Sequence, residues 1–331
     1  MKPAAIVGWS GNGSQEDLAR TALSKLSGEG VGLSRGARSL IIRGVDPIVA
    51  ARRLAHLPGV TWIAVGYEVG STADCLSRLA TLAKRYLEVG SSFRLSVDAE
   101  ESGEEEGDIL LEATSTLLNA AKGSHVDEKD PSVRFRVIMV RGGGACGVQL
   151  REGIGGVPTS RAMRASCLVS GGYHSSVTAW MAALSGYSLT LVHARDDDES
   201  LRQVARLYAE LSARIDPSSL RLEVLEGRGQ PGDRVAAWLA AASGEVFTGV
   251  HPECRGEAGL TQLRRYQPAT FPLLLLQEGE VTSRYDELGL RGKQADRAAQ
   301  LQLSSRRSRF TVREFAGKEA DQNDVLDTVL G

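Results

Sequence analysis

The chain has 331 residues, 42% of them hydrophobic, with a formal net charge of -2 and a pI near 6.3. That length predicts two or three domains at roughly 100–200 residues each, and the near-neutral charge excludes a protein that grips nucleic acid through a global basic excess, leaving only local patches for RNA. Four scattered cysteines (Cys75, Cys146, Cys167, Cys254) form no CxxC pair, which argues against a zinc ribbon, a paired redox motif or a disulfide scaffold and suits a reducing cytosol. No apolar run approaches the ~20 residues of a membrane span. The opening MKPAAIVGWSGNGS has too short an apolar stretch for a signal peptide. The expectation is a soluble cytoplasmic protein with no membrane contact.

In chain order, AAIVGWS reads as a strand and SQEDLARTALSKLSG as a helix. Ser14 caps that helix, Glu16 and Asp17 sit in its first turn, and Gly28 ends it. ARSLIIRG is a second strand. DPIVAARRLAHLPG is a helix started by Asp46-Pro47 and stopped by Pro58-Gly59, and VTWIAVGYEV is a third strand. This alternation over residues 1–68 predicts a small ferredoxin-like α+β domain. TADCLSRLATLAKRYL carries Leu76, Leu79, Leu82, Ala83 and Leu87 at helical spacing. SSFRLSVDAE is a strand, and the acidic run EESGEEEGD is a solvated loop leading into a helix over 109–121. VRFRVIMVRGG and ACGVQLREG are strands, the second running into GIGGVP.

After a linker, TSRAMRA, short apolar strands alternate with helices: SCLV, SSVTAWMAALSG, YSLTLVHA, DESLRQVARLYAELSARI, SLRLEVLEG, RVAAWLAAAS and EVFTGV, with PLLLL closing the series. That is the grammar of βαβ units and a parallel sheet covered on both faces. The tail over 291–331 is polar, basic at Arg306, Arg307, Arg309 and Arg313, with Phe310 available for stacking, and is expected to be part helical.

The strand Ala165 to Val169 runs straight into Ser170-Gly171-Gly172, and a helix begins near Ser175. Glycines let backbone approach a ligand and adopt positive φ. Successive N–H groups and a helix N-terminus make an anion-binding concavity at the carboxyl end of a parallel strand. The loop is neither GxxxxGK[ST] nor GxGxxG. The local pattern leaves two readings open, a phosphate cradle and a plain Gly-rich turn.

Ser170-Gly171-Gly172-x-x-Ser175 resembles the PP-loop of ATP pyrophosphatases, whose usual form is SGGxDS. It follows Gly153-x-Gly155-Gly156-x-Pro158 and a short linker. In that order the two motifs resemble the tRNA 4-thiouridine synthetase (sulfurtransferase) family, in which a ferredoxin-like domain precedes a THUMP domain ending in GxGGxP. VFTGV near Gly249 is similar to the family's TG, and GEAGLTQL over 256–263 resembles, weakly, the Gly-Gln-rich segment after it. The resemblance covers the chain up to about residue 290 and rests on domain order together with two motifs.

The resemblance implies an α/β fold class: a parallel-sheet PP-loop ATP pyrophosphatase domain (165–331) preceded by α+β ferredoxin-like (1–68) and THUMP RNA-binding (69–158) domains. It implies ATP and Mg2+ as cofactors and tRNA as partner. ATP adenylates a uridine, pyrophosphate leaves, and a persulfide sulfur displaces AMP. A persulfide-donating protein and a homodimer are the other implied partners. Leu168 and Val169 would lie beside the nucleotide, Ser170, Gly171, Gly172 and Ser175 on the phosphates, His193 and Ala194 against the adenine, Gly249 on the adenosine side and Gln262 near the phosphates. Lys84, Arg85, Arg94, Arg134, Arg136 and Arg141 are candidates for a tRNA-binding face, with Arg134 and Arg136 on one side of their strand by period two. The bland reading of that face is solvated charge.

Three features depart from the family. His174 stands where the family has Asp, and an imidazole is no hard-oxygen ligand for Mg2+. A protonated His174 would meet phosphate directly; the other reading is that the lost acid marks a lost activity. No cysteine follows Cys254, so the family's sulfur-transfer thiol has no late counterpart, and no cysteine triad suits an iron–sulfur cluster. Cys254, flanked by His251 and Arg255, is the candidate sulfur carrier, against the reading of an incidental loop cysteine. Three functions stay open: ATP-dependent uridine thiolation of tRNA, with Cys254 and His174 in catalytic roles; a non-catalytic tRNA-binding protein with a decayed nucleotide site; and an enzyme of the same fold that adenylates a different RNA position with nitrogen or sulfur from a partner.

Overall fold

A computed structural model describes residues 2–26, 30–103, 105–249, 272–290 and 310–314, and divides the chain into two units, Met1–Pro158 and Thr159–Gly331. In the first, β1 (Pro3–Trp9), α1 (Gln15–Leu26), β2 (Gly32–Arg35), β3 (Ser39–Arg43), α2 (Pro47–Leu54) and β4 (Val60–Val69) are followed by α3 (Thr72–Tyr86), β5 (Ser92–Glu101), α4 (Glu106–Ala120), β6 (His125–Val126), β7 (Val133–Val140) and β8 (Gly143–Gly155). The Asp46 carboxylate accepts from the Ile48 and Val49 amides at the start of α2, and the Ser71 hydroxyl caps α3 through Asp74 N.

The segments expected as ferredoxin-like and THUMP share one eight-stranded sheet, ordered β2-β3-β1-β4-β8-β7-β5-β6. β8 returns from the second segment to pair with β4 of the first. The period-two pattern of each strand sorts its side chains to two faces. Ala5, Val7, Leu40, Ile42 and Ile63 pack under α1 and α2, while Phe135, Val137, Cys146 and Val148 pack under α3 and α4. Val65 and Val148 are register partners, one in each cluster, so all four helices lie against the same face. The other face collects Ala4, Ile6, Ile41, Ala64, Ile138 and Ala145.

The GxGGxP element closes this unit on itself. A Cβ on Gly153 would lie 2.3 Å from the Val60 carbonyl oxygen, and Gly59 N–H donates to the Gly155 carbonyl at 2.6 Å. The Ser10 hydroxyl donates to the Gly156 carbonyl at 3.0 Å. Gly153 serves close backbone approach, and Gly155 and Gly156 adopt left-handed φ of +71° and +80°, which explains the motif without a ligand.

The second unit contains β9 (Ser160–Leu168), α5 (Tyr173–Leu184), β10 (Tyr187–Ala194), α6 (Asp198–Arg214), β11 (Leu220–Glu226), α7 (Pro231–Ala241), β12 (Glu245–Thr248), α8 (Glu278–Leu288) and β13 (Phe310–Glu314). Its five-stranded sheet, ordered β12-β9-β10-β11-β13, is parallel throughout. Right-handed crossovers then place α5 and α6 on one face and α7 on the other. Trp238 of α7 packs there with Leu168, Val192, Leu225 and Val246. From β9 the chain steps outward to β10 and β11 and then returns to β12 on the other side of β9. Arg214 fastens α8 to this layer, donating to the Leu288 carbonyl at 3.0 Å with its guanidinium over the Trp180 ring at 5.2 Å.

Three expectations change. The linker TSRAMRA is mostly the first half of β9. PLLLL is not the closing strand but a short 3-10 helix, Pro272–Leu275: Pro272 has no N–H for a ladder and a suitable φ for a helical start. The edge position belongs instead to β13, in the tail that was expected to be part helical, where FTVRE pairs in parallel with β11.

Candidate functional site

β9 ends at Leu168 and α5 begins at Tyr173, with Gly172 as N-cap and no side-chain cap. The N-cap residue itself therefore offers the first turn of α5 no side-chain acceptor, and that turn begins just past the carboxyl end of β9. Gly171 has φ +84°, and a Cβ there would lie 2.9 Å from the Ser200 carbonyl oxygen of α6. From β12, Gly249 reaches the same point: its Cβ would lie 2.5 Å from both N and Cα of Ser175. Three hydroxyls stabilise the loop internally, Ser170 Oγ accepting from Gly172 N–H at 3.4 Å. Ser175 Oγ accepts from Ser170 N–H at 3.2 Å and donates to the Gly172 carbonyl at 2.9 Å; Ser176 Oγ donates to that carbonyl at 3.1 Å. Ser175, expected on a phosphate, is thus buried inside the loop it shapes.

A cavity of about 310 Å³ opens beside the loop, lined among others by Gly171, Gly172, Tyr173, Ser176, Gln203 and Arg206. Tyr285 of α8 forms part of its wall and meets Tyr173 edge-on, with ring centroids 5.9 Å apart. His174 is half-buried with its ring 3.9 Å from that of Tyr173, and it does not line the cavity. The lining holds no carboxylate, and no group of three or more His, Cys, Asp or Glu gathers anywhere among the described residues. The donor set present does not fit a resident Mg2+, which wants several oxygen ligands including carboxylates.

The expected adenine-flanking residues are placed differently. His193 is buried; its Nδ1 lies 2.9 Å from the Val169 carbonyl, which can only accept, so Nδ1 carries the proton, and Nε2 faces Ser200 Oγ at 3.4 Å. Its role here is to tie the end of β9 to the start of α6. Leu168 and Ala194 belong to the apolar cluster under α7, and Val169 is buried. Burial, aided by Arg195 and Arg234, holds the His193 imidazole below its ordinary pKa against the opposing Val169 carbonyl and Asp197. A depressed folded-state pKa means that the unfolded chain binds the proton first, so stability falls as pH drops below about 6.5, the ordinary value for His. The second unit is expected to melt at lower temperature at pH 5.5 than at pH 7.5. His193→Gln is expected to flatten that dependence, as read by thermal melting monitored by circular dichroism.

Cys75, Cys146 and Cys167 are free and buried; the hydrogen-bonding contact with Cys75 and then burial push the Cys146 thiol up, and burial pushes the Cys167 thiol up. Neither raised thiol is an activated nucleophile. Cys254, Gln262 and the arginines at 306–309 lie outside the described residues.

On the first unit, the parallel register pairs Arg94 with Arg134 and Ser96 with Arg136, which brings Arg94, Arg134 and Arg136 together on the face away from the helices. Arg136 Nη2 donates to Gln149 Oε1 at 2.7 Å, and its guanidinium stacks 4.2 Å from the Trp62 ring. Burial, then the like charge of Arg94, lowers its pKa to about 10, which leaves it a cation at neutral pH. Arg94 pairs with Glu128 at 3.0 Å and Arg134 with Glu152 at 3.4 Å. A cavity of about 440 Å³ adjoins this cluster, lined by Trp9, Arg38, Trp62, Asp98 and Arg136, among others. Lys84 and Arg85 are in the last turn of α3, on the helical side, and Arg141 is exposed in the turn between β7 and β8; the structure does not join them to the arginine cluster. Gln203, Arg206, Trp62 and Gln149 were not legible as site residues, because nothing local to their segments marks them; each is brought in by a neighbouring element.

No protein-family model matches the chain. It is 30% identical over 90 residues to a probable tRNA sulfurtransferase of Methanocaldococcus jannaschii, covering 27% of this chain and 24% of the relative. It is 24% identical over 165 residues to a probable tRNA sulfurtransferase of Bacillus pumilus, covering 47% of this chain and 39% of the relative. The matched regions thus span well under half the length of these curated relatives. Among solved structures, PH1313 from Pyrococcus horikoshii superposes with a TM-score of 0.64 at 19% identity, covering 87% of this chain and 99% of the other. A 4-thiouridine synthetase solved as an RNA complex with bound ATP gives 0.64 at 18%, covering 88% and 86%. No helix among the described residues is long and apolar enough to cross a membrane. Motif order, partial sequence identity and fold over most of the chain all make it similar to one family, the tRNA sulfurtransferases or 4-thiouridine synthetases.

Proposed function

We propose that the chain modifies tRNA in an ATP-dependent reaction of the sulfurtransferase type, thiolating a uridine. ATP binds at the PP-loop formed by Ser170, Gly171 and Gly172, and the THUMP-containing unit holds the RNA. The observation that carries this reading is the start of α5 behind Gly171 and Gly172, beside a cavity of about 310 Å³ lined from α5, α6 and α8. Gly249 closing against Ser175 supports it, as does the arginine cluster stacked on Trp62. The chain's own residues would orient the phosphates and exclude water. The uridine oxygen attacks the α-phosphorus and pyrophosphate leaves; the terminal sulfur of a persulfide, held by a partner protein or on Cys254, then attacks the activated carbon and expels AMP, and a second thiol cleaves the remaining S–S bond, leaving the sulfur on the base and a disulfide on the carrier.

A second reading, a tRNA-binding protein with a decayed nucleotide site, is favoured by one feature: Ser170 N–H is already taken by Ser175 Oγ, beside a His174 that has replaced the acid. Pyrophosphate release from ATP in the presence of tRNA separates the two. Release from both the natural chain and His174→Asp is the expected result; release from His174→Asp alone points to decay, and release from neither removes the enzymatic reading. In the same assay series, replacing Arg94, Arg134 and Arg136 by Gln is expected to weaken tRNA binding. It should also reduce the slope of log affinity against log salt by about 2, at roughly 0.7 per phosphate contact.

A further inference from the structure

The phosphate chain of a nucleotide carries several negative charges, and the cavity beside Gly171 and Gly172 must offset them. A helix N-terminus supplies about half a unit charge. The resident-ion route does not suit this chain, because no carboxylate is among the described residues lining the cavity and an imidazole, His174, occupies the place of the family's acid. Arg206 is the one charged side chain in the described lining. It projects from α6 one turn after Gln203, whose Cβ lies 3.3 Å from where a Gly171 side chain would begin, so helix and loop abut. A guanidinium offers a planar fork of donors that matches phosphate oxygens, keeps its charge at every working pH and needs no metal.

We propose that Arg206 is the phosphate-binding cation of this site, taking the β- and γ-phosphates of ATP and the released pyrophosphate in place of a carboxylate-held Mg2+. This rests on the nucleotide-site reading above and adds to it a named group and an altered metal dependence. Gly171 then supplies a backbone donor on one side of the anion and Arg206 the compensating charge on the other, with Ser176 also in the lining.

Calorimetric titration of the full-length chain with inorganic pyrophosphate, ATP and AMP, each in EDTA and again in Mg2+, tests this. The natural chain is expected to bind pyrophosphate in EDTA. Arg206→Ala is expected to lose at least tenfold in pyrophosphate and ATP affinity while AMP affinity changes less than twofold. Arg206→Lys, which keeps the charge without the fork and guards against a misfolded alanine variant, is expected to fall between them. Pyrophosphate affinity unchanged in the variants, an equal loss for AMP, or natural-chain binding that appears only with Mg2+ overturns the role of Arg206 and leaves the nucleotide site standing. A natural chain that binds neither ATP nor pyrophosphate in either buffer overturns the site itself.

Discussion

Gly249→Ala is expected to abolish ATP binding while leaving the first unit folded. The added Cβ would lie 2.5 Å from Ser175 N and Cα and 2.6 Å from His174 C, all of them backbone atoms at the start of α5. A flexible side chain can swing aside; the first turn of a helix cannot. Either β12 or α5 must move by the order of 1 Å, and the movement falls on the amides that face the cavity. Overpacking of this kind costs about 1–3 kcal/mol of stability, a modest loss beside the removal of the site. Gly279→Ala is the matched control: it sits in α8, and nothing approaches its Cβ position within 4 Å. Titration with ATP, alongside melting curves of both variants, reads the result. Unaltered ATP affinity in Gly249→Ala would show that nucleotide does not use this end of the sheet.

Gly66→Ala is expected to be the most destabilising single methyl that can be added to the first unit. Gly66 of β4 and Gly147 of β8 are register partners at the seam where the two segments join. A Cβ on Gly66 would lie 2.0 Å from the Cys146 carbonyl oxygen and 2.5 Å from Gly147 Cα. Relief requires parting the strands, with loss of ladder hydrogen bonds and of the continuous apolar layer that Val65 and Val148 form across the seam. A loss of about 3 kcal/mol or more follows from overpacking plus broken pairing. Because the arginine cluster on β5 and β7 reaches Trp62 of β4 only across β8, tRNA binding is expected to fall with it. Chemical denaturation and tRNA titration of the same sample check this; a normal unfolding midpoint would mean the seam is looser than the backbone distances require.

Legibility from sequence differed sharply between elements. Helices with explicit caps appear where read: Asp46-Pro47 starts α2 and Ser71 starts α3. The β2 and β6 strands, four and two residues long, carry too little alternation to be seen, and exist because a neighbouring edge pairs with them. Four successive leucines after Pro272 resemble a buried strand by composition alone, and only tertiary packing shows the segment as a helical turn beside α8. The loop motif was legible because glycine in a left-handed conformation leaves a residue-level trace at Gly171. Its inward-turned Ser175 and the core-tethering His193 were not legible, since a serine or histidine at a strand end has the same spacing whether it meets ligand or protein.

The amino-acid sequence by itself determined the local grammar: which stretches are apolar with period two or near 3.6, where caps and glycines interrupt them, and the order of two motifs along the chain. Those are short-range properties, set by backbone sterics and side-chain burial within about a dozen residues. Only the tertiary structure decided that residues 1–158 share a single sheet, that Gly249 meets Ser175 at the start of α5, and that Arg206 and Trp62 stand at their cavities. Such juxtapositions depend on strand order and helix packing over long separations, and no periodicity in a linear chain encodes which distant backbone will arrive beside a given glycine.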